Sequence, residues 1–377
     1  MEQYLYSSIV SKNTMKILWL AHRDPLNPKA GGAERTIYEV CTRLSSRGNE
    51  VTLLTGGWDG CIKNEHIDGI KIRRYGKRAM PHLILPSILL HDNFDVVIND
   101  MGHAVPWPSA PILSRANIVF FRHLHARSLQ GQVNFLLASF LKALERSYPL
   151  IYRKEIFVTE SSTSKSDLIK MGIGEERIVI IPPGVNSDLF RPSKKTDFPS
   201  IVYFGGMRKY KRPEESLYLL STLRDKIDGI KLFLVGDGPQ LNALRELSKK
   251  LGVEDNVIFT GRLDYNELAM VVSSSWLNIH SSITEGWGLS VIEASSAGTP
   301  TVAYDVPGIS DTVENGINGL KVRDGDRSAL AEAAMNIISS PERLWSSSLQ
   351  VAKKYSWERT ANMWEDLIFK VANKQHK

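Results

Sequence analysis

Short apolar runs alternate with longer amphipathic stretches along most of the chain, and this rhythm restricts the possible folds more than any other feature. In the first half, the runs are predicted strands at Lys16–Ala21, Glu50–Leu54, Asp95–Ile98, Asn117–Phe121, Glu155–Thr159 and Arg177–Ile181. The segments between them are long enough for crossover helices. This pattern is typical of a parallel sheet with helices on both faces.

The rhythm stops at Pro182-Pro183-Gly184 and restarts at Ser200. The second set of predicted strands is Ser200–Phe204, Lys231–Val235, Val257–Phe259, Leu277–His280 and Pro300–Tyr304. A chain of 377 residues has room for two domains of ordinary size. We therefore predict an α/β protein with two Rossmann-like domains facing a cleft. The predicted parts are a tail over 1–15, a first domain over 16–182, a second over 183–356 and a final helix over 357–373.

Composition excludes several classes of protein. The chain has 47 basic and 41 acidic residues, a formal charge of +6, which is too balanced for a protein that coats nucleic acid. Two distant cysteines and scattered histidines predict neither a disulfide framework nor a metal site. The first fifteen residues lack an apolar core, and no run approaches the roughly 18 apolar residues of a membrane span. We expect a cytoplasmic protein that could lie on a membrane surface.

The segment Glu285–Glu293, EGWGLSVIE, has the strongest chemical character. Gly286 and Gly288 would let the backbone approach a ligand closely, and a helix is predicted to begin near Gly288. The start of a helix presents free N–H groups and a partial positive charge to an anion. The segment could place the carboxylate of Glu285 near a reaction centre, a phosphate at the helix start and ribose hydroxyls at Glu293. The alternative is a tight strand–helix turn with two solvated glutamates.

Two other segments could contact a phosphate. Gly31 and Gly32 come just before a predicted helix and would allow close backbone approach from the other side of the cleft. The basic run Arg208–Arg212 follows a strand and could neutralise a departing diphosphate. The alternatives are a plain glycine-rich connection for the first segment and a solvated basic loop for the second.

Two histidines, His123 and His125, follow the predicted strand Asn117–Phe121. The carboxyl ends of parallel strands are where α/β proteins bind ligands. A histidine at this place could donate a hydrogen bond to a sugar hydroxyl. We favour His123 over His125, and the alternative for both is a buried structural histidine.

Taken together and in order, these segments resemble the retaining glycosyltransferases of family 4 (glycosyl transferases group 1), which have the GT-B fold. Besides EGWGLSVIE with GTP downstream, the resemblance rests on five motifs: Gly31–Arg35 (GGAER), Ser161–Lys165 (S-x-x-x-K), Pro182–Val185 (PPGV), Gly236–Pro239 (GDGP) and Tyr355–Trp357 (YSW). It covers roughly residues 16–370. Each motif is weak by itself, and their joint order is specific.

The resemblance implies the role of each candidate residue. Glu285 would hold sugar hydroxyls, and Lys211 with the backbone of Gly288, Leu289 and Ser290 would bind the diphosphate. Glu293 would bind the ribose, and Arg262 and Leu263 would flank the base. Members of the family have a glycine-arginine pair before the lysine, but Gly206 occupies the arginine position here. Arg208 is the candidate to take its place.

The resemblance also implies the reaction. It would be transfer with retention at the anomeric carbon, without a metal ion or other cofactor, from a nucleotide-sugar donor. A UDP-linked hexose is favoured over GDP-mannose, and the acceptor would be a glycan or a sugar on a polyprenyl phosphate. The final helix would cross back to the first, acceptor-binding domain. Two alternatives stay open: a catalytically silent nucleotide-sugar-binding partner of a glycosylation complex, and another GT-B enzyme such as a sugar-nucleotide epimerase. A phosphorylase is disfavoured, because it should have a pyridoxal-binding lysine and a much longer chain.

The stretch Arg115–Lys154 is one-sided in charge, with seven bases against the single acid Glu145. Between the bases lies an apolar stretch, Val133–Leu144, and the nearby run PHLILPSILL over 81–90 is also apolar. Bases interleaved with apolar residues suit a surface that meets anionic lipid headgroups. An anionic membrane surface is therefore a candidate partner. The alternative is a set of ordinary helices whose apolar faces point into the core.

Overall fold

The computed structural model describes residues 14–77, 80–128, 134–340 and 342–373. The predicted tail over residues 1–15 falls almost wholly outside these ranges. In the described chain the strands are assembled into two separate sheets, as the two-part rhythm of the sequence predicts.

The first sheet has eight strands in the spatial order β3-β4-β2-β1-β5-β6-β7-β8. In chain order, these are β1 (Lys16–Leu20), β2 (Glu50–Thr55), β3 (Asn64–Ile67), β4 (Ile70–Arg74), β5 (Val96–Met101), β6 (Asn117–Phe121), β7 (Ile156–Thr159) and β8 (Ile178–Ile180). The strand order reverses between β1 and β5, and all neighbouring strands pair in parallel except β3 and β4.

The hairpin β3–β4 was not predicted. It turns at Asp68-Gly69, where both residues have positive φ angles of 48° and 82°. Asp-Gly between apolar residues is a strong hairpin signal because both residues tolerate this backbone region. The hairpin adds an antiparallel edge strand to the otherwise parallel sheet.

The second sheet has six strands in the order β11-β10-β9-β12-β13-β14, all paired in parallel. They are β9 (Ser200–Phe204), β10 (Lys231–Val235), β11 (Val257–Gly261), β12 (Leu277–His280), β13 (Thr301–Tyr304) and β14 (Gly319–Val322). The strand β14 was not predicted. It has four residues, only one of them fully buried, so its apolar pattern is weak.

Helices cover both sheets, as the crossover pattern predicts. Those of the first half are α1 (Gly32–Ser46), α2 (Met80–His91), α3 (Ala110–Leu113), α4 (His125–Ser128), α5 (Phe135–Arg146), α6 (Tyr148–Ile151) and α7 (Ser162–Lys170). Those of the second half are α8 (Glu214–Leu223), α9 (Leu241–Lys250), α10 (Tyr265–Ser274), α11 (Leu289–Ser296), α12 (Ile309–Thr312), α13 (Arg327–Ser339), α14 (Glu342–Ala352) and α15 (Trp357–Asn373). Within these ranges, no helix has the length and apolar character needed to cross a bilayer.

The last helix, α15, returns to the first sheet and packs beside α1. Its Trp364 is fully buried in the core of the first domain, 5.0 Å from the rings of both Trp19 and Phe120. Salt bridges from Arg43 and Arg47 of α1 to Glu358 reinforce the contact at 2.9 and 2.7 Å. A tryptophan side chain buries enough apolar surface to anchor such a crossing. The expected return of the final helix to the first domain is confirmed.

Candidate active site

The candidate site lies where the two sheets present their carboxyl ends to one another. In each sheet the strand order reverses there, between β1 and β5 and between β9 and β12, which is where doubly wound folds bind ligands. Contacts cross the gap directly. The side chain of Asp311 on α12 accepts hydrogen bonds at 2.9 Å from the amide of Ser162 and the hydroxyl of Thr163 at the start of α7.

A half-buried ion pair lies at the centre on the second-domain side. The ammonium of Lys211 is 2.5 Å from one carboxylate oxygen of Glu285. The hydroxyl of Ser282 donates to the same oxygen at 2.7 Å, and Nε2 of His280 is 3.6 Å from it. Lys211 comes from the short helical turn after β9, and Glu285 from the loop after β12. Neighbouring strands therefore bring together two residues that are 74 positions apart.

Both members of this pair are held in their charged forms. Burial alone would raise the pKa of Glu285, but the Lys211 ammonium, His280 and two hydrogen bonds outweigh it and lower the pKa to about 2. Burial opposes the charge of Lys211 as well, and the Glu285 carboxylate raises the pKa of the ammonium above its usual value. Burial lowers the pKa of His280 to about 4. The site thus keeps one positive and one negative group at neutral pH.

The loop after Glu285 passes very close to the first domain. A Cβ atom on Gly286 would be 2.8 Å from a Glu160 carboxylate oxygen and 2.9 Å from the Arg122 carbonyl oxygen. A side chain at this position would require the Glu160 carboxylate and the Arg122 backbone to shift. Gly288 then takes a left-handed conformation, with φ of 93°, and begins α11. The free N–H groups of the first turn, including those of Leu289 and Ser290, follow Glu285 closely in the chain.

Inside α11, Glu293 is in a separate environment. Its carboxylate accepts a hydrogen bond from the Tyr265 hydroxyl at 2.6 Å. The Arg35 guanidinium from the first domain lies over the Tyr265 ring, 4.2 Å from its centre. Burial raises the pKa of Glu293 to about 7, with Tyr265 and Arg35 opposing the shift. The carboxyl group predicted to bind ribose therefore ionises less readily than an exposed glutamate.

The structure places Arg208 beside Gly206. A Cβ atom on Gly206 would be 3.7 Å from Nε of Arg208 and 3.8 Å from two of its side-chain carbons. The side chain of Arg208 therefore folds back over the position where a longer residue 206 would project. Arg208 is exposed, and among the described residues no carboxylate pairs with it.

On the first-domain side, His123 and His125 follow β6, with rings stacked at a centroid distance of 4.8 Å. Burial is the main cause that lowers the pKa of His123 to about 3, and His125 adds to the effect. The opposite charges of Glu285 and Lys211 both act on the His123 ring from across the cleft. Of the two histidines, His123 thus shares the electrostatic environment of the ion pair, and its imidazole is neutral.

The glycine loop and the predicted base-flanking residues also meet across the cleft. A Cβ atom on Gly32 would be 3.7 Å from Leu289 at the start of α11, and the Gly31 amide donates to the Glu34 carboxylate at 2.7 Å. The guanidinium of Arg262 donates to the carbonyl oxygen of Ala30 at 3.3 Å and also to that of Pro28. Arg262 thus ties the two domains together in this structure, and Leu263 packs against an apolar cluster of the second domain.

Sequence reasoning missed a buried charge cluster at the first-domain edge. The guanidinium of Arg122 is 2.7 Å from the Asp100 carboxylate and 2.6 Å from the Glu160 carboxylate, and it donates to the Ala33 carbonyl at 3.2 Å. All three charged residues end or follow neighbouring strands, which was the available signal. The cluster supports the backbone that Gly286 touches.

A second missed feature is a group of partly buried rings near the glycine loop. His103 lies 4.8 Å from the ring of His22 and 5.5 Å from that of His82, and His82 stacks on Trp107 at 3.7 Å. Burial and mutual repulsion lower the pKa of His103 to about 3 and of His82 to about 4. This side of the cleft therefore presents neutral imidazoles.

The apolar side chains of α5 do not point into the core. Phe135 is 82% exposed, Leu136 78% and Phe140 58%. Lys142 and Arg146, further along the same helix, are exposed too. The structure therefore places an apolar stripe and basic residues together on the surface of the first domain, next to the histidine pair.

Two family models match the chain in tandem. The model described as Glycosyltransferase Family 4 matches residues 30–189, and the model described as Glycosyl transferases group 1 matches residues 186–354. A GDP-mannose-dependent alpha-(1-6)-phosphatidylinositol monomannoside mannosyltransferase from Mycobacterium tuberculosis is 24% identical over 376 residues, covering 92% of this chain and 94% of its own length.

Solved structures share the fold over nearly the whole chain. Sucrose-phosphate synthase from Thermosynechococcus elongatus superposes with a TM-score of 0.80 at 21% identity, covering 94% of this chain and 98% of its own. Anabaena Alr3699/HepE, solved with UDP and glucose, has a TM-score of 0.77 at 18% identity and covers 94% and 100%. The architecture is therefore the GT-B fold.

Proposed function

The chain belongs to glycosyltransferase family 4 (glycosyl transferases group 1), and from this membership we propose that it transfers a hexose from a nucleotide sugar to an acceptor with retention at the anomeric carbon. The observation that carries the proposal is the Lys211–Glu285 pair, 2.5 Å apart and half-buried in the cleft. Its charges act on the neutral His123 of the first domain.

The side chains act by position and charge. When the bond between the sugar and the diphosphate breaks, negative charge grows on the diphosphate, and the Lys211 ammonium with the free amides of α11 stabilises it. Glu285 accepts hydrogen bonds from sugar hydroxyls and orients the ring. His123 donates to a hydroxyl near the anomeric carbon. We propose that these groups suffice without a metal ion, so transfer should continue in the presence of a chelator.

Arg208 is proposed to supply the second cation at the diphosphate in place of the arginine that Gly206 lacks. Its side chain lies over Gly206, and among the described residues it has no carboxylate partner that would hold it elsewhere. Arg208→Ala should weaken donor binding a few-fold, whereas Lys250→Ala, an exposed base of the same domain, should not. Equal donor affinity in both variants would mean that one basic side chain serves the diphosphate.

The donor is proposed to be a UDP-hexose, with GDP-mannose as the second choice. The complex of the Anabaena neighbour with UDP and glucose supports the first, and the name of the mycobacterial relative supports the second. A thermal-shift screen of UDP- and GDP-sugars separates them. A donor at 100 times its dissociation constant should stabilise the protein by about 2.7 kcal/mol. Stabilisation by neither class would contradict the donor assignment.

The acceptor is proposed to be a sugar carried on a lipid phosphate, with the protein lying on the cytoplasmic face of a membrane. The exposed Leu136 and Phe140 on α5, beside Lys142 and Arg146, support this proposal. So does the phosphatidylinositol-linked acceptor in the name of the mycobacterial relative. Each basic residue near an anionic bilayer contributes about 1 kcal/mol, so a few are enough for reversible docking.

Co-sedimentation with anionic and neutral vesicles tests the docking. Wild type should bind anionic vesicles, and less so at high salt, because exposed charges are screened beyond about 10 Å. A variant with Lys142, Arg146 and Lys154 neutralised should bind weakly at any salt. Equal, negligible binding to both vesicle types would favour a free glycan acceptor and leave the donor site unaffected.

The alternative of a catalytically silent donor-binding partner is favoured by one observation, the glycine at position 206. Donor hydrolysis by the purified protein separates the two proposals. Slow release of nucleotide that depends on Glu285 would support an enzyme, since water can replace an absent acceptor. Donor binding without any release of nucleotide, with and without acceptor, would support the silent partner.

A further inference from the structure

The one acidic residue of the basic segment Arg115–Lys154 is used inside the protein. Glu145 of α5 is buried, with 3% of its surface exposed. One of its carboxylate oxygens accepts a hydrogen bond from the backbone amide of His125 at 2.5 Å. The carboxylate also lies 3.3 Å from the next amide, that of Ala126, and 3.7 Å from Nδ1 of His125. Helix α5 thus holds the start of α4 through a charged group.

Two further interactions connect this contact with the proposed reaction centre. The ring of His125 stacks on that of His123 at 4.8 Å. The ring of His123 in turn feels the charges of Glu285 and Lys211 from the second domain. A shift of α5 that moved Glu145 would therefore move the backbone of His125, and with it the ring next to the donor site.

The other side of the same helix is the apolar stripe. Leu136 and Glu145 are nine residues apart, which is about two and a half helical turns and places them on opposite sides of α5. Leu136 is 78% exposed and Glu145 is 3% exposed. One helix thus carries an outward face suited to a lipid surface and an inward carboxylate that holds the histidine segment.

We propose that Glu145 is a positioning residue that links the docking of α5 on an anionic membrane to the placement of His123 and His125. The inference rests on the proposed docking of α5 and not on the identity of the donor. In the absence of a membrane, the exposed helix has few tertiary contacts to fix it and samples several positions. Binding of α5 to lipid reduces the number of positions that the helix samples and so orders the histidine pair. Turnover should therefore be higher at the membrane than in solution.

Hydrogen exchange of the backbone amides, with and without vesicles of phosphatidylglycerol and phosphatidylcholine, tests this link without substrate. In wild type, vesicles should slow exchange in residues 134–146 and at the amides of His125 and Ala126. In Glu145→Ala, vesicles should still protect α5, but the His125 and Ala126 amides should exchange roughly tenfold faster than in wild type and not respond to lipid, because the charged acceptor is gone.

Three controls accompany the measurement. Lys142→Ala/Arg146→Ala should dock weakly and should show little vesicle effect in either region. Glu175→Ala removes an exposed carboxylate of the same domain and should behave as wild type. Glu145→Gln keeps one acceptor oxygen without the charge and should fall between wild type and Glu145→Ala, which also covers the case in which the alanine variant does not fold.

A second readout is kinetic and uses the nucleotide sugar found in the thermal-shift screen. Glu145→Gln should lower kcat a few-fold at an unchanged KM for the donor, and vesicles should raise kcat more in wild type than in this variant. Vesicle protection of the His125 and Ala126 amides that is the same in Glu145→Ala and wild type would overturn the proposal. So would wild type that binds vesicles without any change at these amides. Failure to find a donor would leave the exchange result intact and would count against the proposed transfer alone.

Discussion

On the second-domain side of the cleft, Lys211 and Glu285 are both charged and lie 2.5 Å apart. On the first-domain side, His103 and His123 have their pKa values lowered to about 3 by burial and are neutral. Apart from the Arg122–Asp100–Glu160 cluster, whose charges are paired with one another, the two sides thus present different kinds of polar group to the same space. In the proposed reaction the leaving group on the second-domain side is a diphosphate, whereas an acceptor hydroxyl carries no charge. The Lys211 ammonium therefore lies on the side where negative charge develops on the diphosphate, and the neutral histidines lie on the side of the uncharged acceptor hydroxyl.

This contrast yields an ordered set of expectations. Variants on the charged side should have the larger effects on the chemical step, because the stabilisation of growing charge is lost. Variants on the neutral side should affect turnover less and leave nucleotide binding alone. Four measurements can break or sharpen the comparison.

The largest effect is expected for Glu285→Gln. The variant keeps the size of the side chain but loses the charge that holds the Lys211 ammonium, so turnover should fall by about 10²-fold or more while the fold survives. Nucleotide release measures turnover, and circular dichroism shows whether the fold is intact. Near-normal transfer by the glutamine variant would remove Glu285 from the mechanism and weaken the contrast between the sides.

Lys211→Ala comes next and should impair both donor affinity and turnover, by roughly tenfold or more in kcat/KM. Its removal also leaves Glu285 buried without its main counter-charge, so the pKa of Glu285 should rise from about 2. Donor titrations at several pH values would reveal this rise, because donor affinity would then change with pH in the acidic range where it is constant in wild type. If kcat alone fell and donor affinity stayed constant, Lys211 would act only after the donor has bound.

A smaller effect, confined to turnover, is expected for His123→Ala. Because the ring is neutral and lies on the acceptor side, kcat should fall roughly tenfold at unchanged affinity for the nucleotide. His125→Ala is the matched control, since it removes the neighbouring ring, and should change kcat less. The reverse ranking would show that His125 is the residue next to the reacting hydroxyl.

The smallest effect concerns stability against pH. The pKa of His103 is lowered from 6.5 to about 3, so the unfolded chain takes up the proton first, and acid from pH 6.5 downward destabilises the folded state. The pKa of Glu293, in the second domain, is raised from 4.5 to about 7, so its contribution is lost as pH rises through that window. Between pH 4.5 and 6.5, His103 therefore makes the free energy of unfolding rise with pH, whereas Glu293 makes it fall.

Melting curves of two variants separate these slopes. His103→Gln should lessen the fall in melting temperature between pH 6.5 and 5 by about 2–4 °C, and Glu293→Gln should steepen it. If both substitutions lessened the fall in melting temperature, or both steepened it, the two groups would not make opposite contributions to the pH dependence of stability.

Much of the architecture followed from local pattern. Apolar runs of strand length separated by amphipathic stretches predicted both parallel sheets, and the final amphipathic helix was predicted where α15 lies. The hairpin β3–β4 and the strand β14 were missed because each is short and partly exposed, so apolar periodicity carries little signal there. In the candidate site, the motif EGWGLSVIE correctly predicted a loop followed by a helix that begins near Gly288.

Other features depend on contacts that no local pattern contains. Arg122 meets Asp100 and Glu160 because β5, β6 and β7 are neighbours, and the chain order of these residues does not reveal it. The sequence of α5 determined that the helix carries an apolar stripe with basic residues beside it. Only the packing of α5 by its Glu145 side turned the apolar side outward, because periodicity defines the faces of a helix and tertiary contacts decide which face is buried.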